Sequence, residues 1–426
     1  MNRIDHLPQT PKPQENIRGA NRALLLKLVS GSPGIDRTLM AELAGLTTPA
    51  VTRIAQELMS AGLLTETGAL ESEGRGRKRR GLQIHAEGGY VLGVSVLAFN
   101  TGVTLSDLSG KVIARREVFP SNLSDPVTTL DEIASAADAL ISEHVSDPAR
   151  VLGVGAAIAG YLDTSGEIWE YSPYLGWPKF NIKRSLEQRF NLPVAIENVN
   201  RAIAVAETQI GNSRGSLNVV LIRAALGLGG AILTGGEINS GHNNQAGQIG
   251  HLPAKLDGRR CACGKIGCLT TIASGSAVLE DLGLSDGPHT GLNNVQARSE
   301  ALRDVLVAAS EKDTRAIDVL SQAGSALGFY SAGPILMTDP ETVILTGPLG
   351  RNEIYSQVFT AQLRAAGVTA DIKTGHDHVI LQPADAAAGL ALSAHFFSST
   401  LNLARLLETT SKIGEISPSK TETLIL

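Results

Sequence analysis

The sequence predicts an α/β protein in which a small helical head precedes a larger body. Beyond residue 85, β-branched apolar runs alternate with longer helical stretches, as they do in α/β proteins. The first 85 residues instead hold three short helical segments and a glycine-flanked basic loop. All three cysteines lie within one eight-residue stretch of the body.

Length and composition describe an ordinary globular protein. Its 426 residues, 43% hydrophobic and 19% charged, are enough for two or three domains. No apolar run is long enough to span a bilayer, and the first residues do not resemble a signal peptide. We therefore expect a cytoplasmic protein that does not engage a membrane.

The charge is unevenly distributed. Residues 1–80 contain twelve Lys/Arg and eight Asp/Glu, a balance of +4, which leaves −9 for the remainder of a chain whose net charge is −5. A basic head on an acidic body is expected when the head meets nucleic acid, although a solvated charged surface would look similar.

Three head helices are predicted in close succession. Apolar residues at helical spacing indicate the first, over residues 16–31. The second covers residues 36–44, with Leu39 and Leu43 facing inward and Gly45 in the turn that follows.

The third helix begins at Thr48-Pro49 and ends before Gly62. The spacing Ala41-x3-Gly45-x5-Val51 is typical of a helix-turn-helix unit, in which this third helix reads the major groove. Five residues near its exposed N-terminal half are the predicted DNA contacts: Thr47, Thr48, Ala50, Thr52 and Arg53. Arg53 suits guanine, and the threonines suit phosphates or thymine methyl groups.

A basic loop follows the third helix, before a strand-like segment at residues 82–84. It carries five cations, Arg75, Arg77, Lys78, Arg79 and Arg80. Its distance from the helix-turn-helix favours a wing that contacts the phosphate backbone or the minor groove. The alternative is a flexible basic linker.

The cysteine cluster predicts a metal site. Cys261, Cys263 and Cys268, with His251 ten residues before the first of them, provide the four ligands of a tetrahedral structural zinc. The alternatives are unrelated buried thiols, or one disulfide with a sulfur left over. The clustering favours zinc.

The residues around this cluster resemble the signature of the ROK family (repressors, open reading frames and sugar kinases). Gln248-Ile249-Gly250-His251 is followed, ten residues on, by C-x-C-G-x-x-G-C. The resemblance covers residues 86–396 and implies the actin-like, two-lobed fold of sugar kinases. Repressors of the family carry a winged head, here residues 1–85, and residues 397–426 remain as a tail, either helical or disordered.

Two kinase features are missing from the body. The family's phosphate-binding D-x-G-x-T corresponds to residues 95–99, which begin with Ser95, and the aspartate that acts as general base corresponds to Val199. The nearest carboxylates, Glu197 and Glu207, are expected to point elsewhere. A glycine-rich turn at residues 225–232 persists, with Leu226 at its hydroxyl position.

The resemblance also implies a small-molecule pocket. Its lining residues would be Gly160, Tyr174, Asn198, Gln248, His251 and Thr270. Three sugar-binding acids of the family are absent, at Val199, Gln248 and Thr270. Either the ligand is not glucose-like or the pocket is degenerate.

These observations predict a repressor that binds double-stranded DNA, contains zinc, answers a sugar or related small molecule, and has no kinase activity. The alternatives are a ROK sugar kinase with an added DNA-binding head, and a repressor controlled by a protein partner. Because one winged helix contacts few base pairs, we expect a homodimer or homotetramer.

Overall fold

The structure is a computed structural model that describes residues 14–69, 80–98, 101–172, 174–285, 295–374 and 382–407. Within these ranges no helix is both long enough and apolar enough to cross a bilayer.

The head consists of three helices and a small antiparallel sheet of strand order β1-β3-β2. Its elements are α1 (Gln14–Gly31), β1 (Ile35–Asp36), α2 (Arg37–Ala44), α3 (Thr48–Ser60), β2 (Leu64–Ala69) and β3 (Arg80–Ile84). Asp36 caps α2 by accepting bonds from the backbone amides of Thr38 and Leu39, and Gly45 ends it with a φ of 64°. The predicted succession of three helices is confirmed.

The inward face predicted for α2 is wrong. Leu39 and Leu43 are 45% and 58% exposed, whereas Met40 and Ala41 are buried. Leu39/Leu43 and Met40/Ala44 are both apolar pairs at i, i+4 spacing, and packing in the head core selects the second pair. The polar side of α2 therefore includes two exposed leucines.

The body contains two five-stranded sheets of equivalent topology. In each, three consecutive antiparallel strands are extended by two parallel strands, in the orders β6-β5-β4-β7-β11 and β14-β13-β12-β15-β16. The first half comprises β4 (Tyr90–Val96), β5 (Gly102–Asp107), β6 (Val112–Glu117), α4 (Pro126–His144), β7 (Val151–Ile158), β8 (Tyr161–Leu162), β9 (Ile168–Tyr171), β10 (Phe180–Asn181), α5 (Ile182–Phe190), β11 (Val194–Asn198) and α6 (Val199–Gln209).

The second half begins with β12 (Val219–Ala224), β13 (Leu228–Thr234), β14 (Glu237–Ile238), α7 (Thr270–Ala273), α8 (Gly275–Asp281), α9 (Val295–Ser310) and α10 (Thr314–Thr338). It continues with β15 (Thr342–Thr346), α11 (Gly347–Gly350), α12 (Glu353–Ala365), β16 (Asp371–Lys373) and α13 (Pro383–Ala391). A π-helical turn, Leu392–Phe396, extends α13. Two sheets of this kind with a cleft between them form the two-lobed body.

Helix α13 packs against the backbone of the first sheet. A Cβ atom at Gly93 or Gly155 would lie 2.0 Å from the carbonyl oxygens of Ala384 and Ala387, so only glycine permits this approach. On its other side, a Cβ at Gly389 would lie 2.6 Å from the Cβ of Ala206 in α6. Helix α13 therefore contacts both the first sheet and α6.

One hydrophobic core joins the head, the body and the tail. Its buried members come from the head helices, from the first sheet, from α13 and from residues 396–406. In the tail, Leu401, Leu403 and Leu406 are buried in this core, whereas Leu407 is 42% exposed. Arg150 also donates from Nη1 to the carbonyls of Ala61 and Gly88, at 2.9 and 2.8 Å. The described part of the tail thus connects the head to the body.

Candidate functional site

The six predicted pocket residues lie on one cleft of about 650 Å³ in the body: Gly160, Tyr174, Asn198, Gln248, His251 and Thr270. A smaller polar recess of about 90 Å³ adjoins it. Gly160, Asn198, Gln248 and His251 line both spaces, while Tyr174 and Thr270 line only the larger one. The cleft is therefore a polar recess that opens into a wider space.

Asn198 stands where β11 ends and α6 begins. Its Oδ1 accepts from the backbone amide of Asn200 and its Nδ2 donates to the carbonyl of Gly160, both at 3.0 Å. These bonds fix the amide at the N-terminus of α6. The next residue, Val199, is buried against the cleft and offers no proton acceptor at the family's base position.

The expectation that Glu197 points elsewhere is wrong. Its side chain lines the recess at the carboxyl end of β11. Burial raises the pKa of this carboxyl, and Arg201 pairs with it at 3.4 Å. Glu207 is buried and does not line the cleft.

Arg201 also holds the loop that precedes Gln248. Its guanidinium donates to the side chain of Asn244, and to the carbonyls of Asn244 and Ala246 at 3.1 and 3.4 Å. Gly247 then approaches β13 with a φ of 88°, a conformation that favours glycine. A buried arginine that the sequence did not single out thus anchors the loop that leads to Gln248.

The predicted metal ligands converge. One ring nitrogen of His251 and the Sγ atoms of the three cysteines, Cys261, Cys263 and Cys268, all lie within 4.8 Å of one another. Two of the separations are 3.8 Å, from Cys261 Sγ to His251 Nδ1, and 3.6 Å, from Cys263 Sγ to Cys268 Sγ. A tetrahedral ion with Zn–S of about 2.3 Å and Zn–N of about 2.0–2.1 Å holds its ligand atoms roughly 3.5–3.8 Å apart. The group can hold such a metal ion.

The segment that holds the three cysteines, residues 261–268, is shaped by tight turns. Gly264 and Gly267 have φ values of 87° and 72°, and a Cβ at Gly267 would lie 1.5 Å from the carbonyl oxygen of Lys255. Burial raises the pKa of Cys268 to about 12. Since thiolates are the form that binds a metal, a cation at the centre offsets this cost. With Nδ1 facing the sulfurs, Nε2 is the nitrogen of His251 left for the cleft.

The turn after β4, which corresponds to the phosphate-binding segment of the kinases, has different residues in this chain. Ser95 is 1% exposed and its hydroxyl donates to the carbonyl of Gly102 at 3.4 Å. Leu97 and Ala98 line the cleft at this turn, and residue 99 lies outside the described ranges. The described part of the turn presents no carboxylate to a magnesium ion.

The predicted DNA contacts on α3 divide into two groups. Thr47 caps the helix by accepting from the amide of Ala50, and the Thr52 hydroxyl donates to the carbonyl of Thr48 at 2.8 Å. Ala50 is partly buried, while Thr48 and Arg53 are exposed. Gln56, one turn beyond Arg53, is also exposed, and the i, i+3 spacing from Arg53 was the signal that could have identified it.

The wing is described only at its base. Four of its cations, Arg75, Arg77, Lys78 and Arg79, lie outside the described residues. Arg80 begins β3 and pairs with Glu66 at 2.8 Å, and Glu66 also pairs with Arg37 of α2 at 2.8 Å. Arg80, followed by Arg37, lowers the pKa of the Glu66 carboxyl. Through Glu66, Arg80 therefore connects the base of the β2–β3 pair to α2.

Comparison with known proteins identifies relatives that match most of the chain. The sequence model of the ROK family matches residues 91–386. The chain is 26% identical over 333 residues to the DNA-binding transcriptional dual regulator NagC of Escherichia coli K12, covering 78% of this chain and 81% of that one.

Two solved structures share the fold. One is a ROK family transcriptional regulator, a homologue of the E. coli Mlc protein, with a TM-score of 0.72, 24% identity and coverage of 92% of this chain and all of that one. The other is a ROK family glucokinase from Streptomyces griseus in complex with glucose and AMPPNP, with a TM-score of 0.59, 24% identity and coverage of 72% of this chain and all of that one. The regulator, unlike the kinase, matches the head as well as the body.

Proposed function

This chain belongs to the ROK family, and from that premise we propose that it is a DNA-binding transcriptional repressor whose body binds a small molecule and does not phosphorylate it. One observation carries the proposal. The winged head shares a hydrophobic core with a kinase-like body in which Val199 occupies the position of the general base. Such a chain can couple a ligand to DNA but lacks the group that accepts the proton of a sugar hydroxyl.

In this proposal α3 enters the major groove. Arg53 and Gln56 are exposed one turn apart, at a spacing that suits adjacent base pairs, and Thr48 reaches phosphate or a thymine methyl group. The wing cations add contacts to phosphates that do not depend on sequence. Arg80 has the lesser role there, because Glu66 already pairs with it.

We further propose that the cluster at His251 holds zinc. Three thiolates and one imidazole suit a closed structural site better than a catalytic one, which keeps a position open. The ion would fix the loop between Gln248 and Thr270, and so would fix the recess wall. Such an ion would have a structural role and would take no part in a reaction.

A second copy of the chain is required if the operator is two-fold. The exposed face of α10 is a candidate surface for it, since Phe329 and Met337 are 66% and 89% exposed. Large apolar side chains exposed together indicate an interaction surface. Phe329→Glu should shift the sedimentation coefficient to that of a smaller assembly, and an unchanged coefficient would exclude this face.

Selection from random duplexes tests the DNA-binding function directly. Full-length, zinc-loaded protein should enrich a two-fold sequence, and affinity for that sequence should fall steeply with salt because phosphate contacts release counterions. Arg53→Ala should relax the preference at one or two base pairs, and Arg184→Ala, on the exposed side of α5, should not. Failure to enrich any sequence would refute the proposal.

A further inference from the structure

A groove of about 780 Å³ lies between α1, α3 and the tail, and we call it the head groove. Each of these segments contributes polar side chains to its walls: Arg18 and Arg22 from α1, Arg53 and Glu57 from α3, and Thr400 and Asn402 from the tail. Neither the head nor the tail lies within residues 91–386, which the family model matches. The groove therefore joins the predicted recognition helix to a part of the chain to which the family signature assigns no role.

The tail wall of the head groove is held in place by close packing. A Cβ atom at Gly19 of α1 would lie 2.3 Å from the carbonyl oxygen of Ser399, so the tail backbone lies directly against this helix. Leu401 is buried in the core that the head shares with the body, whereas Thr400 and Asn402 on either side of it are exposed. The tail therefore presents a hydroxyl and an amide to the groove at fixed positions.

The head groove carries more positive than negative charge. Glu57 is the one acidic residue among its described lining residues, and it pairs with Arg18, whose side chain stays 52% exposed. Neither Arg22 nor Arg53 forms an ion pair with any described residue, and the Nε of Arg22 is buried without a hydrogen bond. The Arg22 guanidinium thus lacks an anion from the protein, and a phosphate group in the groove would supply one.

The head groove is also continuous with the surface that reads DNA in the proposed function. Arg53 and Gln56 line the groove, and the same two exposed side chains are the proposed base contacts of α3. A helix inserted into the major groove has the phosphates of both strands along its flanks. The partner that fits a cationic groove beside such a helix is therefore the backbone of the same duplex.

We propose that the head groove binds the DNA backbone at the edge of the major groove, with Arg22 bound to phosphate oxygens and with Thr400 and Asn402 as donors to the same strand. The inference deepens the proposed function and rests on it, since it adds α1 and the tail to the DNA-binding surface. Guanidinium groups bind phosphate oxygens in pairs, and such contacts fix the register of a recognition helix without reading sequence. The tail then contacts DNA directly as well as stabilising the head.

The salt dependence of binding by the full-length, zinc-loaded protein tests the contact made by Arg22. Each phosphate contact adds about 0.9 to the slope of log affinity against log salt concentration. Arg22→Met should therefore bind the selected duplex and a mixed-sequence duplex more weakly than the wild type, with an unchanged base preference. Its disadvantage should shrink about 3.5-fold between about 50 and 200 mM salt, which is the fourfold change in salt raised to the power of about 0.9.

Lys27→Met is the matched control. Lys27 is an exposed residue of α1 that does not line the head groove, and its substitution removes the same unit of charge. Its salt slope should equal that of the wild type. An equal slope in Arg22→Met would overturn the proposal, because an affinity that falls by the same factor at every salt concentration reports a less stable head and no lost phosphate contact.

Thr400→Glu tests the tail wall with an exposed residue, and it also serves if Arg22→Met does not fold. A carboxylate beside the phosphates repels them, so both duplexes should bind about fivefold more weakly at low salt, from roughly 1 kcal/mol for two unit charges 4 Å apart in water. Thr314→Glu, at the exposed start of α10, adds the same charge far along the chain and should bind as the wild type. Equal affinities of these two variants would overturn the proposal.

Duplexes with a single neutral methylphosphonate linkage locate the contact on the DNA. A neutral linkage at the phosphate bound by Arg22 should weaken binding of the wild type about tenfold and leave binding of Arg22→Met unchanged. Absence of any linkage with this behaviour would overturn the proposal. A protein that enriches no sequence refutes the proposed function itself, whereas normal enrichment without these effects refutes the role of the head groove alone.

Discussion

The shared core predicts that a single leucine of the tail controls the stability of the head. Leu406 is fully buried in the core that the head shares with the body, and its neighbour Leu407 is 42% exposed. Truncation of a buried leucine to alanine costs about 2–5 kcal/mol, through lost transfer free energy and the cavity that remains. Truncation of a half-exposed leucine costs about 0.5 kcal/mol or less.

The effect of Leu406→Ala should be confined to the head. A loss of about 2–5 kcal/mol increases the population of the locally opened head roughly 30- to 5000-fold, while the second sheet, which shares no core with Leu406, stays closed. Hydrogen exchange should therefore accelerate in α1 and β3 and remain unchanged in β12 and β15. Affinity for the selected duplex should fall, since the opened head cannot place α3 in the groove.

Leu407→Ala is the matched control and should leave both exchange and DNA affinity as in the wild type. Two results would refute the reasoning. Equal exchange in the head for both variants would show that residues 401–406 do not stabilise it. Faster exchange in both sheets for Leu406→Ala would show that the chain unfolds as one unit, without separate opening of the head.

Three further predictions concern the zinc cluster, the recognition helix and the pocket. Elemental analysis should find one zinc per chain, and Cys263→Ser should lose the metal and lower the melting temperature by several degrees; stoichiometric zinc in that variant would contradict the ligand set. Arg53→Ala should cost about 1–3 kcal/mol of discrimination at one or two base pairs, measured by competition with mutated duplexes, whereas a uniform loss would assign Arg53 to phosphate. A coupled assay with ATP should detect no phosphorylation of glucose, N-acetylglucosamine or N-acetylmannosamine; turnover that disappears in Glu197→Gln would identify Glu197 as a general base.

The local signals in the sequence were sufficient for the head helices and for the metal cluster. Glycine and threonine at helix ends act through bonds to their own neighbours, so Gly45 and Thr47 specify α2 and α3 without knowledge of the rest. The cysteine spacing likewise limits the ways in which three sulfurs can meet. The buried side of α2 is a tertiary property, and there the choice of Leu39 over Met40 failed.

The same difference between local and tertiary signals explains which pocket residues could be predicted. The resemblance to the ROK family predicted Asn198, Gln248 and His251 as pocket residues, and all three line the recess. It offered nothing for Arg201, which reaches the carbonyls of Asn244 and Ala246 more than 40 positions away only because the chain folds back on α6. The partners of a buried polar side chain are visible only in three dimensions.

The fold offers a direct route from the cleft to the DNA. Asn198 on the cleft wall caps α6, and α13 packs on α6 through Gly389. The π-helical turn after α13 then leads to Phe396 and Phe397, in the core that the head shares with the body. A ligand changes DNA affinity only to the extent that it binds one arrangement of these elements better than the other. A 100-fold change requires about 2.8 kcal/mol of such preference. Charge-assisted hydrogen bonds contribute about 1.5–3 kcal/mol each, so one or two such bonds that form in only one arrangement are sufficient.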